Sequence, residues 1–277
     1  MTSTLSERPT TDDHPRPARR WRGAGYATQV RVLTGRSLRA LLADPRLIVF
    51  SLLQPLIMLV LFSQVFGRAM AGSVGGGSYI NYLMPAILVT TGIGAGMSSG
   101  VGLITDMKNG VLARFRSLPI RLSSVLLARS LSDLVRTAVQ LVVLLVVASA
   151  VFGFSPAGGL PGVLSALALA LLVSWALAWI FMAIAVWVRK EEVMQTVGFF
   201  AMFPLMFGSS AFVPINAMPG WLQVIATINP LTYAVDASRN LSLALPVGTG
   251  PLAAVGTSAL LCVVGITFAV RGFRRPL

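Results

Sequence analysis

Residues 47–66 run for twenty positions without a charged side chain, and five more uncharged runs follow at 79–104, 137–154, 163–188, 193–212 and 252–270. Twenty helical residues rise about 30 Å, the thickness of a bilayer's hydrocarbon core. In hydrocarbon every backbone N–H and C=O needs an internal partner, so a run of this kind folds as a helix. The sequence predicts an all-α polytopic membrane protein with six transmembrane helices. The charge content agrees: 11% of residues are charged and the mean hydropathy is +0.79, where a soluble domain carries roughly 25% charge.

Six crossings put both termini on one side, and the basic residues say which. Nine Lys and Arg precede residue 47, six lie within 105–136, two within 189–192 and three after residue 270, leaving Arg68 and Arg239 for the other side. By the positive-inside rule the crowded side, with both termini, is cytosolic. The net charge of +13 is thereby a topology signal, which argues against nucleic acid as a partner.

Residues 1–22 have almost no apolar content and read as a disordered cytosolic tail. No signal-peptide core is present there, so no cleavage is expected. The remaining residues, 23–277, form a single six-span transmembrane domain. Residues 26–43 set Val30, Leu33, Leu38, Leu41 and Leu42 among Arg31, Arg36 and Arg39. That pattern fits an N-terminal interfacial helix or a cytosolic extension of the first span. Asp44-Pro45 is an N-cap followed by proline at the first helical position, and Pro55 should kink the first span. Residues 67–78, GRAMAGSVGGGS, read as a flexible loop. In the second span Gly92, Gly96 and Gly100 recur every four residues, which lets another helix approach closely or supplies a hinge. Residues 215–245 are too apolar for a solvated loop and too interrupted by proline for a full span. They fit broken outer half-helices between spans five and six, at about 221–228 and 231–241.

The charged stretch 106–120, DMKNGVLARFRSLPI, lies between the second and third runs. Asp106, Lys108, Arg114 and Arg116 each cost about 2.5–3.5 kcal/mol at a bilayer centre, so the stretch sits outside. Val111, Leu112, Phe115 and Leu118 still give it one apolar side. Gly110 can open this short helix, and Pro119 ends it by disfavouring α geometry at Leu118. Such an element is built to touch lipid headgroups or a second protein. Beyond it Arg129, Asp133 and Arg136 share one helical face at the foot of the third span, spaced as an intrahelical ion ladder.

No chemistry of an enzyme is legible. The runs contain no Asp, Glu, Lys or His, where ion-driven carriers keep ionisable groups. His14 and Cys262 are the only residues of their kinds, so neither a serine hydrolase base nor a metal cluster can be assembled around them. Neither Lys108 nor Lys190 has the glycine and Ser/Thr context of a nucleotide-binding loop. The sequence assigns no catalytic residue, no metal and no cofactor to this chain, and energy for work would come from a partner.

Two stretches carry a resemblance. One is Asp106-Met-Lys-Asn-Gly110 followed by Arg114-Phe-Arg-Ser-Leu-Pro119. The other is Phe212-Val-Pro, then Met218-Pro219-Gly-Trp221-Leu-Gln, then Asn229-Pro230-Leu-Thr232, then Arg239. In this order, with apolar spans between, they resemble the membrane subunit of type-2 ATP-binding-cassette exporters, within the daunorubicin/doxorubicin-resistance permeases of actinobacteria. The likeness covers about residues 25–275. It implies a multi-pass permease of the bacterial cell membrane that pairs with a similar permease as homodimer or heterodimer. It also implies two cytosolic ATPase subunits that bind the ATP and Mg, and export of amphipathic compounds or lipid-linked molecules.

The resemblance further implies that residues 106–119 are a coupling helix docking into the ATPase, through Asp106, Gly110, Arg114, Phe115, Arg116, Leu118 and Pro119. Arg114 and Arg116 would meet acidic groove residues or, alternatively, lipid phosphates. The broken outer segment would carry Pro219, Trp221, Asn229, Pro230, Asp236 and Arg239, with Asp236 and Arg239 spaced to pair. Phe199, Phe200, Met202, Phe203, Met206 and Phe207 make the fifth span rich in adaptable apolar surface. They suit a substrate pathway for hydrophobic drugs, or plain lipid-facing and packing roles. Drug efflux is the leading reading of function; lipid or glycolipid export by the same machinery, or a non-transporting membrane scaffold, are the alternatives.

Overall fold

The computed structural model describes residues 25–43, 46–70, 78–109 and 122–273. The readings that rest on the 1–22 tail, on Asp44-Pro45 and on 110–120 lie outside them. Among the described residues the protein is all helix and turn, with no strand. The helices are α1 Tyr26–Ala43, α2 Arg46–Met70, α3 Tyr79–Lys108, α4 Leu122–Phe152, α5 Gly159–Val188, α6 Glu191–Phe207, α7 Gly220–Ile228, α8 Pro230–Ser242 and α9 Gly250–Phe273. A 3₁₀ turn, Ile215–Ala217, stands between α6 and α7.

α5 is the axis of the bundle. It is apolar all round, as a helix enclosed by other helices must be, and packs most extensively against α3 and α9. Glycines make the first contact possible. A Cβ on Gly96 would stand 3.1 Å from the Ala178 backbone nitrogen, and one on Gly100 would stand 2.9 Å from the Phe181 carbonyl oxygen. Gly92 faces Ser174 in the same seam. On the α9 side a Cβ on Gly265 would meet the Trp179 backbone at 2.7 Å. α2, α4 and α9 form the rim, with Phe50, Val65, Val146, Leu252 and Leu260 exposed. α1 is a separate helix that docks on α4: Ser124 donates to Gln29 Oε1 at 3.0 Å and Thr34 donates to the Ala128 carbonyl at 3.3 Å.

Five described helices are long and apolar enough to cross a membrane: Val49–Arg68, Tyr79–Lys108, Ser123–Phe152, Gly159–Val188 and Gly250–Gly272. The predicted fifth span, 193–212, is not among them. α6 has 17 residues, about 25 Å of rise, and stops at Phe207 before a turn through 208–214. The third span also departs from its prediction. Its helix begins at Leu122, not near 137, so Arg129, Asp133 and Arg136 lie within it. Part of the predicted 67–78 loop belongs to α2, which continues to Met70 and is one helix through Pro55.

Candidate functional site

A cavity of about 360 Å³ opens between α2, α3, α4 and α6. α2 contributes Phe50, Gln54 and Met58, α3 contributes Ile87, Thr90 and Ser98, α4 contributes Arg136 and Gln140, and α6 contributes Phe199, Met202 and Met206; Phe212 closes one end. Chain direction gives this cavity an axis. Ser99 donates to Asp133, which sets Ser98 and Arg136 near one level. At the other end Tyr79 donates to the Phe212 carbonyl at 2.9 Å, which sets Phe212 near the start of α3. Between Ser98 and Ile87 the wall rises about 16 Å. Its floor is polar and cationic, its top apolar. The wall hydroxyls are already committed: Thr90 and Thr91 donate to the Ile87 carbonyl and Ser98 to that of Gly94. Gln140 donates to the Ser51 carbonyl at 2.9 Å and ties α4 to α2.

Beyond the apolar end lies a clamp centred on Arg239, which is 7% exposed. Its Nη1 donates to Asp236 Oδ1 at 2.7 Å, its Nη2 to the Ser210 carbonyl at 2.9 Å and its Nε to the Tyr82 carbonyl at 3.1 Å. The guanidinium carbon sits 3.6 Å from the Tyr82 ring centroid, a cation–π stack. Ser210 donates to Asp236 at 2.7 Å, and Tyr82 donates to the Ser210 carbonyl at 3.0 Å. Asn229 does similar work one step away. Its Oδ1 accepts from the Leu231 N–H at 2.9 Å and caps α8, with Pro230 at the first helical position. Its Nδ2 donates to the Leu205 and Gly208 carbonyls at 2.9 and 2.7 Å, satisfying the end of α6 that the chain itself leaves open.

At the polar end α3 runs on through Asp106 and Lys108 into the undescribed 110–121 stretch. Asp106 pairs with Arg129 on α4, and Lys108 Nζ lies 3.2 Å from Glu191 Oε1 at the start of α6. Arg129 Nε also lies 3.7 Å from Asp133 Oδ2. Of the predicted ladder only the Arg129–Asp133 pair forms among the described residues. Arg136 is in no ion pair among the described residues, because Asp133 is taken by Arg129 and Ser99 and Arg136 turns to the cavity wall.

Residues 28–243, from within α1 to just past α8, match the family described as ABC-2 type transporter, a stretch that takes in the whole cavity wall. The chain belongs to that family. It is 34% identical over 189 residues to the daunorubicin resistance ABC transporter permease protein DrrB1 of Streptomyces coeruleorubidus, covering 68% of this chain and 66% of that one. It is 26% identical to the probable doxorubicin resistance ABC transporter permease protein DrrC of Mycobacterium tuberculosis, over 90% of both chains. The putative transport permease ycf38 of Porphyra purpurea is 29% identical over 70% of this chain and 67% of its own.

This ABC-2 transporter is a multi-pass membrane protein with the build of a permease subunit. Of the residues singled out for a pathway, Phe199, Met202 and Met206 line the cavity. Phe203 lies between Phe199 and Phe207 in a chain of ring contacts, at 4.8 and 5.3 Å between centroids. Phe200 points away and is 72% exposed. In the outer segment α7 and α8 coincide closely with the predicted half-helices. Asn229, Asp236 and Arg239 enter the clamp, whereas Trp221 is 69% exposed and Pro219 precedes α7. Gly110, Arg114, Phe115, Arg116, Leu118 and Pro119 lie outside the described residues. Sequence reasoning missed the wall formed by Gln54, Arg136 and Gln140. A polar residue inside an otherwise apolar run was its available signal, at Gln54 and Gln140.

Proposed function

We propose that the chain is the membrane-spanning permease subunit of an ATP-driven exporter for hydrophobic or amphipathic compounds, working with a separate ATPase. The carrying observation is the wiring at the polar end. Asp106 and Lys108, at the head of the charged stretch, are paired to α4 and α6, and both of those helices wall the cavity. Movement of residues 106–119 by a docked ATPase would reach the cavity through these two pairs. Phe115 and Leu118 would anchor the apolar contact, and Arg114 and Arg116 would meet acidic groove residues. The partner would bind the ATP and Mg.

In this reading α6 and the 208–214 turn complete a sixth crossing, and both termini and the 106–119 helix are cytosolic, as the basic residues require. Residues 23–277 act as one permease domain in a bacterial cell membrane. A second permease, identical or similar, would lie against the exposed faces of α2 and α6, with substrate passing along Phe199, Phe203 and Phe207. The drug-resistance names of the relatives support an apolar or amphipathic cargo.

The test is co-purification with the ATPase encoded beside it, with ATP turnover measured in lipid. Phe115→Asp combined with Arg116→Glu is expected to abolish ATPase binding or its stimulation. Equal binding and turnover by wild type and double variant would refute the coupling role of 106–119. Failure of cells carrying both subunits to lower accumulated daunorubicin or any hydrophobic dye would refute export of such compounds.

A further inference from the structure

We infer that the cavity is a receptor for an anionic amphiphile, with Arg136 as the seat of its charged group. The inference rests on the exporter reading for what becomes of the ligand, but not for its binding. Arg136 stands sixteen residues before Phe152 at the far end of α4, about 24 Å into the helix. That depth is within a 30 Å hydrocarbon slab, near one face. A guanidinium there demands compensation, yet Arg136 has no hydrogen-bond acceptor and no carboxylate partner among the described residues, and its Nε is buried without one. Among the described residues no acidic side chain lines the cavity. The nearest rung of its own helix, Asp133, is held by Arg129 and Ser99.

The rest of the wall fits the same ligand. Gln54 lines the cavity across from α4 and makes no side-chain hydrogen bond within the described residues, so its amide is a second available donor. Thr90, Thr91 and Ser98 give their protons to backbone carbonyls, which leaves Arg136 as the charged donor of the wall, with the Gln54 amide beside it. About 16 Å further along, Met58, Ile87, Met206 and Phe212 offer only apolar surface. A single acidic head joined to an apolar body matches this polarity in one orientation. A cationic amphiphile would have to place its charge against Arg136 or in the apolar end. A carboxylate or phosphate head meets the chemistry equally, whether it arrives on a bilayer lipid or on a free amphiphile.

The full chain, purified in neutral maltoside, is irradiated with four diazirine probes: palmitate, phosphatidylglycerol, phosphatidylcholine and an alkyl trimethylammonium. Cross-links are mapped to peptides. Anionic probes are expected to label peptides carrying Met58, Met202 or Met206 about tenfold more than the choline and ammonium probes. Arg136→Gln should remove that excess and Arg136→Lys should keep most of it. Labelling by palmitate alone identifies a free amphiphile, by phosphatidylglycerol alone a lipid, and either result supports the proposal. Equal labelling by cationic and anionic probes, or an excess that survives Arg136→Gln, overturns it. The readout is independent of ATP. Export without anion selectivity would sink this inference and spare the exporter; selectivity without export would do the reverse.

Discussion

Two arginines on opposite sides of the cavity are held in contrasting ways. Arg239 spends its donors on Asp236, Ser210 and Tyr82 and stacks on a ring. Arg136 has no side-chain partner in the described protein. A buried cation with all three nitrogens hydrogen-bonded fixes the elements around it, here the end of α6, the start of α3 and α8. Arg136, half-buried with its Nε shut off from solvent, makes no such ties and is a cost to the fold. The Arg239 clamp is thus a structural joint, and the cavity floor keeps its donors in reserve.

This contrast breaks most readily at Arg239. Arg239→Ala should lower the unfolding free energy by about 2–3 kcal/mol in detergent, below the ~3–5 of a fully enclosed pair because the Asp236 side chain is 41% exposed. Thermal unfolding followed by size exclusion would read it. If Arg239→Ala unfolds at the wild-type temperature, the clamp is not a joint.

Asn229→Ala comes next. It removes the α8 cap and both donors to the end of α6, for a loss of about 1–2 kcal/mol by the same measurement. Gln140→Leu sharpens the comparison from the cavity side. It deletes the bond to the Ser51 carbonyl and should cost about 1 kcal/mol while sparing the clamp. The smallest effect belongs to Arg136→Gln, expected within about 0.5 kcal/mol of wild type and on the stabilising side, since no partner is lost. A loss as large as that of Arg239→Ala would show that Arg136 is structural.

The half-helices α7 and α8 were legible in sequence because Pro219, Gly220, Asn229 and Pro230 punctuate them locally. The leucine–arginine pattern of α1 was readable as helix but left a separate interfacial helix and an extension of the first span both open, and nothing local told that Gln29 and Thr34 would seat it on α4. The end of α6 was not legible. Residues 208–213, GSSAFV, carry no charge and no proline, and the carbonyls at the helix end are taken by an amide supplied from Asn229, about twenty residues on. The helix that carries the third span starts before the predicted span for a related reason. Arg129 and Asp133 look like residues that must stay outside a span, yet partners on α3 accommodate them within a longer helix. For the candidate site, spacing placed Arg136 on a face with Asp133 but could not show that Asp133 was already engaged. The Phe199–Met206 surface was readable as adaptable; only tertiary packing showed which of its rings meet a cavity and which, like Phe200, do not.

The burial of α5 sets a timetable for biosynthesis. Its Trp179 flank is covered by Gly265 of α9, a helix that begins at Gly250, whereas α5 ends at Val188. At 5–20 residues per second that interval is roughly 3–12 s on the ribosome. For those seconds the central helix stands in the bilayer with one flank bare, and the groove that Gly265 will fill is open to lipid or to a neighbouring nascent chain. That flank is covered only once α9 is made, so chains arrested before Gly250 should be substrates for membrane quality control even though most of the described long apolar helices are already in place.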